Sequence, residues 1–253
     1  MEKVKDMVSI ITPCWNGEKY IAETMDSVIA QTYPNWEMII VDDGSSDRSA
    51  QIVQDYEKKD ARIHLIQQEN AGSSAARNHG IREASGRYIA LLDADDLWEK
   101  NFLEEQINLM TEKKVACVYS NYLLIDDSSK VIGHMVKAPE KLTYKKMCVR
   151  NYIGCLTGLY DTKEHGKIYL REELKSLRDD YAFWLDCVEA SGVAYGNPKP
   201  LARYRVLANS TTGNKKKLIG VQWKFYRQYL KLGWMRSFIN LMRWGIYGVL
   251  KFR

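Results

Sequence analysis

Three carboxylates, Asp93, Asp95 and Asp96, lie within four positions directly after an apolar segment. Carboxylates this close repel one another when they are partly buried, and a bound cation relieves that repulsion. Hard divalent ions such as Mg²⁺ and Mn²⁺ prefer oxygen ligands and often bind phosphate groups at the same time. The cluster therefore indicates either a metal site for a phosphorylated ligand or, as the simpler alternative, a solvated loop that caps the next helix.

A second acidic pair, Asp42 and Asp43, follows another apolar segment. A carboxylate at the end of a strand can accept hydrogen bonds from a uracil N3–H or from ribose hydroxyls. The alternative is an Asx-turn that leads into the following helix. Both interpretations stay open for the two aspartates.

Arg77 lies in a segment of small residues, 71–80. Small residues near the start of a helix allow a phosphate to approach closely, and an arginine there supplies a permanent positive charge. The segment has neither the G-x-G-x-x-G pattern nor a P-loop, which argues against a Rossmann dinucleotide site and against a P-loop site.

The elements that carry these residues alternate between strand and helix. Hydrophobic periodicity predicts strands at residues 8–12, 36–41, 63–66, 88–92 and 115–119, with helices between them. Residues 44–47 are expected to supply a turn and an N-cap for one of these helices. Repeated β-α-β units predict an α/β fold with a mostly parallel central sheet and helices on both faces. Ligands bind beyond the carboxyl ends of the strands in such sheets, so residues 13–16, 42–45 and 93–96 are expected to meet in one crevice.

The second half of the chain is less regular. One clear helix is predicted to start near Asp180, with Trp184 on its apolar face. Residues 209–217 read as a polar linker, and two helical stretches follow it.

Taken together, these segments resemble the family-2 glycosyltransferases of the GT-A fold, of the type that builds bacterial surface polysaccharides. The likeness spans about residues 8–212 and includes Val-Asp-Asp-Gly-Ser-Ser-Asp at 41–47 and Asp-Ala-Asp-Asp at 93–96. The other matching segments are residues 8–16, 75–80 and 177–185, and Tyr204-Arg205 with Asn209-Ser210.

The resemblance implies a role for each of these positions. Residues expected to bind the nucleotide-sugar are Pro13, Trp15, Asn16, Asp42, Asp43, Arg77, Asp93 and Ala94. Asp95 would ligate a Mn²⁺ or Mg²⁺ ion, and Asp180 would be the general base. The family often has Glu-Asp where this chain has Asp179-Asp180. Further candidates for the site are Asp96, Asp179, Trp184 and Arg205.

The activity that this implies is inverting, metal-dependent and non-processive transfer of a sugar. The donor would be a nucleotide-sugar, with UDP favoured, and the acceptor a glycan or a saccharide linked to polyprenyl diphosphate. The Gln-x-x-Arg-Trp motif of processive members is absent from its expected place, and Asn-Leu-Met-Arg-Trp at 240–244 lies too far downstream. Two alternatives are a non-catalytic nucleotide-sugar-binding module and a sugar-nucleotide pyrophosphorylase. The pyrophosphorylase would need a basic, glycine-rich loop after the first strand, which residues 13–18 do not supply.

Length and composition fit this fold. The chain has 253 residues, of which 45% are hydrophobic and 27% charged, enough for a sizeable core. We divide it into a GT-A domain at 1–212 and a helical tail at 213–253. Within the domain, about 1–120 would bind the donor and about 121–212 the acceptor. Five scattered cysteines form no C-x-x-C pair, so we expect reduced thiols rather than disulfides or a zinc site.

Charge is distributed unevenly along the chain. Residues 1–189 hold 24 basic and 32 acidic side chains, a net charge of −8, whereas the remainder holds thirteen basic and no acidic ones. Residues 215–253 are also rich in aromatic residues, a pattern typical of a helix that lies on an anionic membrane surface. Packing on the core or on a second copy of the chain, as in a homodimer, is the alternative. Nucleic acid is not expected as a partner because the body is acidic and no recognition motif is present.

Two features bear on where the protein works. No apolar run approaches the ~18 residues of a membrane-spanning helix, and the first six residues lack the apolar stretch of a signal peptide. We therefore expect a cytoplasmic protein that is peripheral on the inner face of the cell membrane if its tail binds lipid.

Overall fold

A computed structural model describes residues 4–174, 178–207 and 215–251 of the chain. Ten strands form one sheet within these residues. The strands are β1 (Val4–Cys14), β2 (Trp36–Asp42), β3 (Ile63–Gln67), β4 (Gly86–Leu91), β5 (Leu97–Trp98), β6 (Cys117–Ile125), β7 (Val131–Val136), β8 (Lys141–Leu142), β9 (Leu159–Asp161) and β10 (Ala194–Arg205). The helices are α1 (Ile21–Ile29), α2 (Ser49–Glu57), α3 (Ser73–Glu83), α4 (Phe102–Lys113), α5 (Tyr144–Met147), α6 (Asp179–Ser191), α7 (Lys215–Lys224) and α8 (Trp234–Lys251), with a π-helical turn at Phe225–Tyr229 between the last two.

The strand order is β3-β2-β1-β4-β9-β6-β10-β5, with β7 beside β6 and β8 beside β10. Strands β1, β2, β3, β4, β6 and β10 all run in one direction. Strand β9 is antiparallel to both of its neighbours and separates the two parallel parts of the sheet. The predicted α/β fold with a mostly parallel sheet is therefore confirmed.

Both faces of the sheet are covered, because successive side chains of a strand point to opposite faces. On β1 and β2, Ile10 and Ile40 belong to one apolar cluster, which α1, α2 and α4 complete. Ile11 and Val41 belong to the other, which includes residues of α3 and α6 and two residues of the tail. Helix α3 packs tightly on the sheet at Gly80, where an added Cβ would lie 2.7 Å from Ile11 Cγ2.

Three predicted elements need correction. Strand β6 extends to Ile125, six residues beyond the predicted strand at 115–119. The N-cap position of α2 is Arg48, although Asp47 one residue earlier accepts the Ser49 N–H at 2.9 Å. In the predicted linker at 209–217, residues 209–214 lie outside the described residues, and α7 already begins at Lys215.

Candidate active site

A cavity of about 1070 Å³ lies at the carboxyl ends of β1, β2 and β4. Residues from distant parts of the sequence line it, as expected for an edge where parallel strands end. The predicted site residues among them are Pro13, Trp15, Asn16, Asp43, Arg77, Asp93, Ala94, Asp95, Asp179 and Asp180. The structure thus brings most of the predicted residues to one place.

The loop after β1 forms one rim of the cavity and is tied to the loop after β2. The Asn16 N–H donates to Ser45 Oγ, and the Ser46 N–H donates to Asn16 Oδ1, both at 2.9 Å. Asn16 takes the left-handed backbone conformation with φ 51°, which asparagine tolerates better than most residues. Trp15 beside it remains 61% exposed, so the rim presents a flat aromatic surface that the protein itself does not cover.

Asp43 is buried and organises the opposite rim. Its carboxylate accepts hydrogen bonds from Gln68 Nε2 at 2.8 Å and from the N–H groups of Ala71 and Gly72 at 2.9 and 2.8 Å. Gln68 in turn contacts His79 Nδ1 at 2.8 Å. The hydrogen bonds that Asp43 accepts therefore fix the segment before α3 in place. They do not form an Asx-turn.

Arg77 bridges two carboxylates from different parts of the chain. Its guanidinium lies 2.5 Å from Asp93 Oδ1 and 3.4 Å from Asp179 Oδ2, and the latter also accepts from Ser74 Oγ at 2.7 Å. Burial by itself would lower the pKa of Arg77, but the charges of Asp93 and Asp179 outweigh it and raise that pKa well above its usual range. The sequence suggested that the positive charge of Arg77 would bind a phosphate. In the structure this charge is paired with the carboxylates of Asp93 and Asp179, and the pairing links the end of β4 to the start of α6.

The three clustered aspartates have different environments. Asp93 and Asp95 line the cavity, whereas Asp96 is buried and accepts the backbone N–H of Arg205 at 2.8 Å. Burial, followed by repulsion from Asp93, raises the pKa of Asp95 to about 6. Burial, followed by repulsion from Asp95, raises the pKa of Asp96 well above its usual range. Asp96 therefore does not line the cavity, which does not support the prediction that it contacts a ligand directly.

Arg205 is a positioning residue behind this cluster and does not line the cavity. Its guanidinium is buried and donates to the carbonyl of Asp95 at 2.7 Å, to Glu23 Oε2 at 2.8 Å and to Ser129 Oγ at 2.9 Å. It also lies 4.6 Å from the centre of the Tyr20 ring. Arg205 thereby holds the acidic loop against α1 and against the turn between β6 and β7.

The described residues offer few side chains as ligands for a metal ion. Nowhere in the described residues do three or more His, Cys, Asp or Glu side chains come together as a metal site would require. Asp95 nevertheless fits an ion of the Mg²⁺ type, which commonly uses one or two carboxylates and completes its shell with waters and substrate phosphates. Burial and the neighbouring Asp93 both disfavour the charged form of Asp95, and a bound cation would offset this cost.

The two aspartates at the start of α6 are not equivalent. Asp179 is 4% exposed and binds Ser74 and Arg77, whereas Asp180 is half-buried and accepts from Asn151 Nδ2 at 3.3 Å. Burial, followed by repulsion from Asp179, raises the pKa of Asp180 to about 6. A carboxylate with this pKa is ionised at neutral pH and accepts a proton more readily than an ordinary aspartate. Asp180 is therefore the member of the pair that suits proton transfer.

Two further predicted residues do not line the cavity. Asp42 is 3% exposed at the end of β2. Trp184 is fully buried, and an added Cβ on Gly158 would overlap its ring. Trp184 thus contributes to the core and does not offer a surface to a ligand.

Sequence reasoning missed several residues of the cavity wall. Among them are Tyr122, Asn151, Arg178 and Trp244. Arg178 could have been noticed because it directly precedes the acidic pair, and Trp244 because it ends the near match to the processive motif.

The tail has two different faces. Phe225 and Tyr226 are buried in the core cluster beside α6, and α7 and α8 supply Leu218, Val221 and Trp244 to the cavity wall. Between residues 234 and 246, where side-chain burial is described, the outer face of α8 exposes six large apolar side chains: Trp234, Met235, Phe238, Ile239, Met242 and Ile246. A helix that is both long and apolar enough to cross a bilayer does not occur in the part of the chain that the structure describes.

Comparison with known proteins finds relatives that are named as glycosyltransferases. The sequence model described as "Glycosyl transferase family 2" matches residues 9–178. A Bacillus subtilis protein named for teichuronic acid biosynthesis, the glycosyltransferase TuaG, is 40% identical over 94% of each chain. The Escherichia coli enzyme WfgD, named UDP-Glc:alpha-D-GlcNAc-diphosphoundecaprenol beta-1,3-glucosyltransferase, is 35% identical over 97% of this chain and 94% of its own.

Solved structures share the fold at lower identity. Staphylococcus aureus TarS, residues 1–349 in complex with UDP-GlcNAc, superposes with a TM-score of 0.70 at 22% identity and covers 86% of this chain. The Pyrobaculum calidifontis mannosyltransferase PcManGT, in complex with GDP-Man and Mn²⁺, gives a TM-score of 0.65 at 16% identity over 89% of this chain. This chain spans 64% of each of those two chains. With the acidic cavity at the strand ends and the match to the family model, the chain belongs to glycosyl transferase family 2 and is a glycosyltransferase of the GT-A fold.

Proposed function

We propose that the protein transfers one sugar, with inversion, from a UDP-sugar to a saccharide carried on polyprenyl diphosphate during assembly of a bacterial surface polysaccharide. The observation that carries this proposal is that Asp43, Asp95 and Asp180, from three distant segments, line one cavity. The names of the relatives from B. subtilis and E. coli support the pathway and the lipid-linked acceptor. The TarS complexes with UDP and UDP-GlcNAc support a uridine nucleotide.

The donor would bind across the loops that follow β1, β2 and β4. The exposed ring of Trp15 offers a surface on which a base can stack, beside Pro13 and Asn16. Asp43 holds the loop at 71–72 in place, and its Oδ2 has one lone pair left to accept a hydrogen bond from the base. We therefore assign donor binding to about residues 1–120, acceptor binding to about 121–212, and the tail to 213–253.

A divalent ion, Mn²⁺ or Mg²⁺, would be held by Asp95 and would supply positive charge to the departing diphosphate. The protein's own part on this side of the cavity is to keep Asp93 and Asp95 facing the ligand. Arg77 does so from α3, and Arg205 does so through the carbonyl of Asp95.

Asp180 is the proposed general base. An acceptor hydroxyl is a weak nucleophile at neutral pH, and transfer of its proton to a carboxylate makes it reactive as it attacks the anomeric carbon. A single base and one direct displacement invert the anomeric centre, so an α-linked donor gives a β-linkage. Asp179 is engaged by Ser74 and Arg77 and would position the start of α6 without taking the proton.

We also propose that α8 lies on the anionic inner surface of the cell membrane. Its exposed apolar side chains are accompanied by the exposed cations Arg236 and Arg243, and residues 215–253 contain ten basic and no acidic residues. Apolar side chains at headgroup depth with cations beside anionic lipid are the features of an interfacial helix. This placement would bring the cavity, which the same helix helps to line, close to a lipid-linked acceptor.

The membrane proposal can be tested without deleting the tail, which is part of the cavity wall. Replacing Trp234, Phe238 and Met242 with serine should abolish co-sedimentation with vesicles containing phosphatidylglycerol. The matched control makes the same replacement with serine at Val131 and Ile132, which are exposed apolar residues of β7. Equal sedimentation of both variants and the unmodified protein would contradict the proposal, and the alternative of a tail-mediated homodimer would then be examined by light scattering.

The enzymatic proposal is tested by incubating the protein with Mn²⁺, a panel of nucleotide-sugars and α-GlcNAc diphosphate carrying an alkyl chain. We expect transfer from a UDP-sugar, with one sugar added per acceptor. Binding of UDP-sugars without transfer to any acceptor would favour the non-catalytic binding module. Formation of a nucleotide-sugar from sugar phosphate and UTP would favour the pyrophosphorylase.

A further inference from the structure

The guanidinium of Arg178 lies in the cavity but has no part in the mechanism proposed above. Arg178 lines the cavity directly before α6 and takes a left-handed backbone conformation with φ 74°. A non-glycine residue rarely adopts this conformation, and such strain persists where the surrounding structure enforces it, most often at functional sites. The left-handed backbone therefore marks Arg178 as a candidate functional residue.

The side chain of Arg178 has unmet hydrogen-bonding capacity. Its Nε and Nη2 atoms are buried, and neither has a hydrogen-bond partner within residues 4–174, 178–207 and 215–251. The guanidinium carbon lies 5.2 Å from the centre of the Trp244 ring of α8, an arrangement typical of a cation–π contact. Burial lowers the pKa of Arg178, and the charge of Asp180 only partly opposes it. Donors of this kind normally bind an acceptor, so a ligand is expected to supply one.

The position of Arg178 points to the acceptor rather than to the donor. It lies two residues before Asp180, which we propose takes the proton of the acceptor hydroxyl. The carboxylate that most opposes the lowered pKa of Arg178 is that of Asp180, whereas Asp95 is held from behind by Arg205, which donates to its carbonyl at 2.7 Å.

The surroundings also suit a ligand that is both anionic and lipidic. The tail contributes the apolar residues Leu218 and Val221 to the lining of the cavity, together with Trp244. Arg150 adds a second guanidinium to the lining, 4.2 Å from the centre of the Tyr152 ring. A planar guanidinium matches phosphate oxygens with two parallel hydrogen bonds, which an ammonium group cannot do.

We propose that Arg178, held against Trp244, binds a phosphate group of the acceptor, so that the enzyme recognises the diphosphate of a lipid-linked saccharide as well as its sugar. This inference rests on the proposed transfer to a lipid-linked acceptor. It assigns to the C-terminal helix a direct part in acceptor binding, separate from its proposed contact with the membrane.

The test uses farnesyl diphosphate as a sugar-free probe and farnesol as its neutral counterpart, with UDP and Mn²⁺ saturating the donor site. Calorimetry on the full-length protein should show that the diphosphate binds more tightly than the alcohol. Arg178→Gln should weaken binding of farnesyl diphosphate at least tenfold and leave the affinities for UDP and farnesol within twofold of the wild type. Arg178→Lys should retain part of the affinity, because it keeps the charge but loses the planar fork.

Arg171→Gln is the matched control, since Arg171 is a surface residue that pairs with Asp186 at 3.0 Å, away from the cavity. It should leave all three affinities unchanged, and melting temperatures will verify that each variant is folded. Unchanged binding of farnesyl diphosphate to Arg178→Gln, or no such binding to the wild type, would overturn the inference. A parallel loss of UDP affinity would also overturn it, because Arg178 would then serve the donor. Failure of the proposed function would look different, as a wild-type protein that neither binds UDP nor transfers a sugar.

Discussion

Substitution of Asp180 with asparagine tests the proposed base in two ways at once. Asparagine has nearly the same shape and keeps an oxygen that can accept from Asn151, as Asp180 does at 3.3 Å. The change therefore removes a charge and a proton acceptor with little effect on packing. Activity and stability should respond in opposite directions.

The expected loss of activity follows from the role of a base. General base catalysis contributes about 10²- to 10⁴-fold, so the transfer rate should fall by that factor, while UDP affinity stays within twofold. In the unmodified protein kcat/KM should increase with pH through about 6, the pKa to which burial and Asp179 raise the Asp180 carboxyl of the free enzyme. This rise should be absent from the residual activity of the variant.

The expected gain in stability follows from the same pKa. A carboxyl whose pKa rises from 3.8 to about 6 on folding destabilises the folded protein at neutral pH by about 3 kcal/mol. At about 2–4 °C per kcal/mol, removing the charge should raise the melting temperature by about 6 °C or more at pH 7.5. Because the folded state holds its proton more tightly, the gain should be complete above pH 6 and should disappear as the pH falls towards 4.

Thermal melts at several pH values, in parallel with transfer assays, give the required data. Asp186→Asn on the same helix is the control, since Asp186 pairs with Arg171 and accepts from Tyr229 outside the cavity. The control should retain its activity and should gain no stability. A variant of Asp180 that loses stability together with activity would refute the reasoning, because the carboxylate would then be a structural anchor.

Three further predictions concern the surroundings of the site. Arg77→Met leaves Asp93 and Asp179 without their shared cation and should lower the free energy of unfolding by about 3–5 kcal/mol. Urea denaturation measures this change, and a loss below about 1 kcal/mol would show that the bridge does not stabilise the fold. Gly158→Ala forces a methyl group into the ring of Trp184 and should cost about 1–3 kcal/mol or more, with little change in KM for the donor if the variant folds; unchanged stability would contradict the tight packing. Chelation with EDTA should stop transfer, and Mn²⁺ or Mg²⁺ should restore it; full activity in excess EDTA would remove Asp95 from its proposed metal role.

The main features of the fold could be predicted because they depend on local patterns. Apolar runs such as 36–41 are long enough to predict strands buried on both faces, and they lie where β2 is found. Strand β9 could not be predicted, because it has only three residues and its place between β4 and β6 depends on contacts distant in sequence. The full length of β6 was missed for a related reason, since its second part pairs with β7 and β10.

The site was predictable as a set of positions but not as a set of contacts. Carboxylates that follow strands, such as Asp43 and Asp95, must lie at one edge of a parallel sheet, so their proximity follows from the sequence. Their partners do not follow from it. The binding of Asp43 to the segment before α3 and the burial of Asp96 depend on how loops pack. The contribution of Trp244 was also hidden, because an amphipathic pattern does not tell which part of a helix faces a cavity.

The most direct test of the central claim is a crystal structure of the protein with UDP and Mn²⁺, read by the anomalous signal of manganese. The account predicts one manganese peak in the cavity, bound by Asp95 and by the diphosphate, with Asp180 facing the same space. A manganese ion and UDP bound away from Asp95, or a separate pocket for Asp180, would contradict the account.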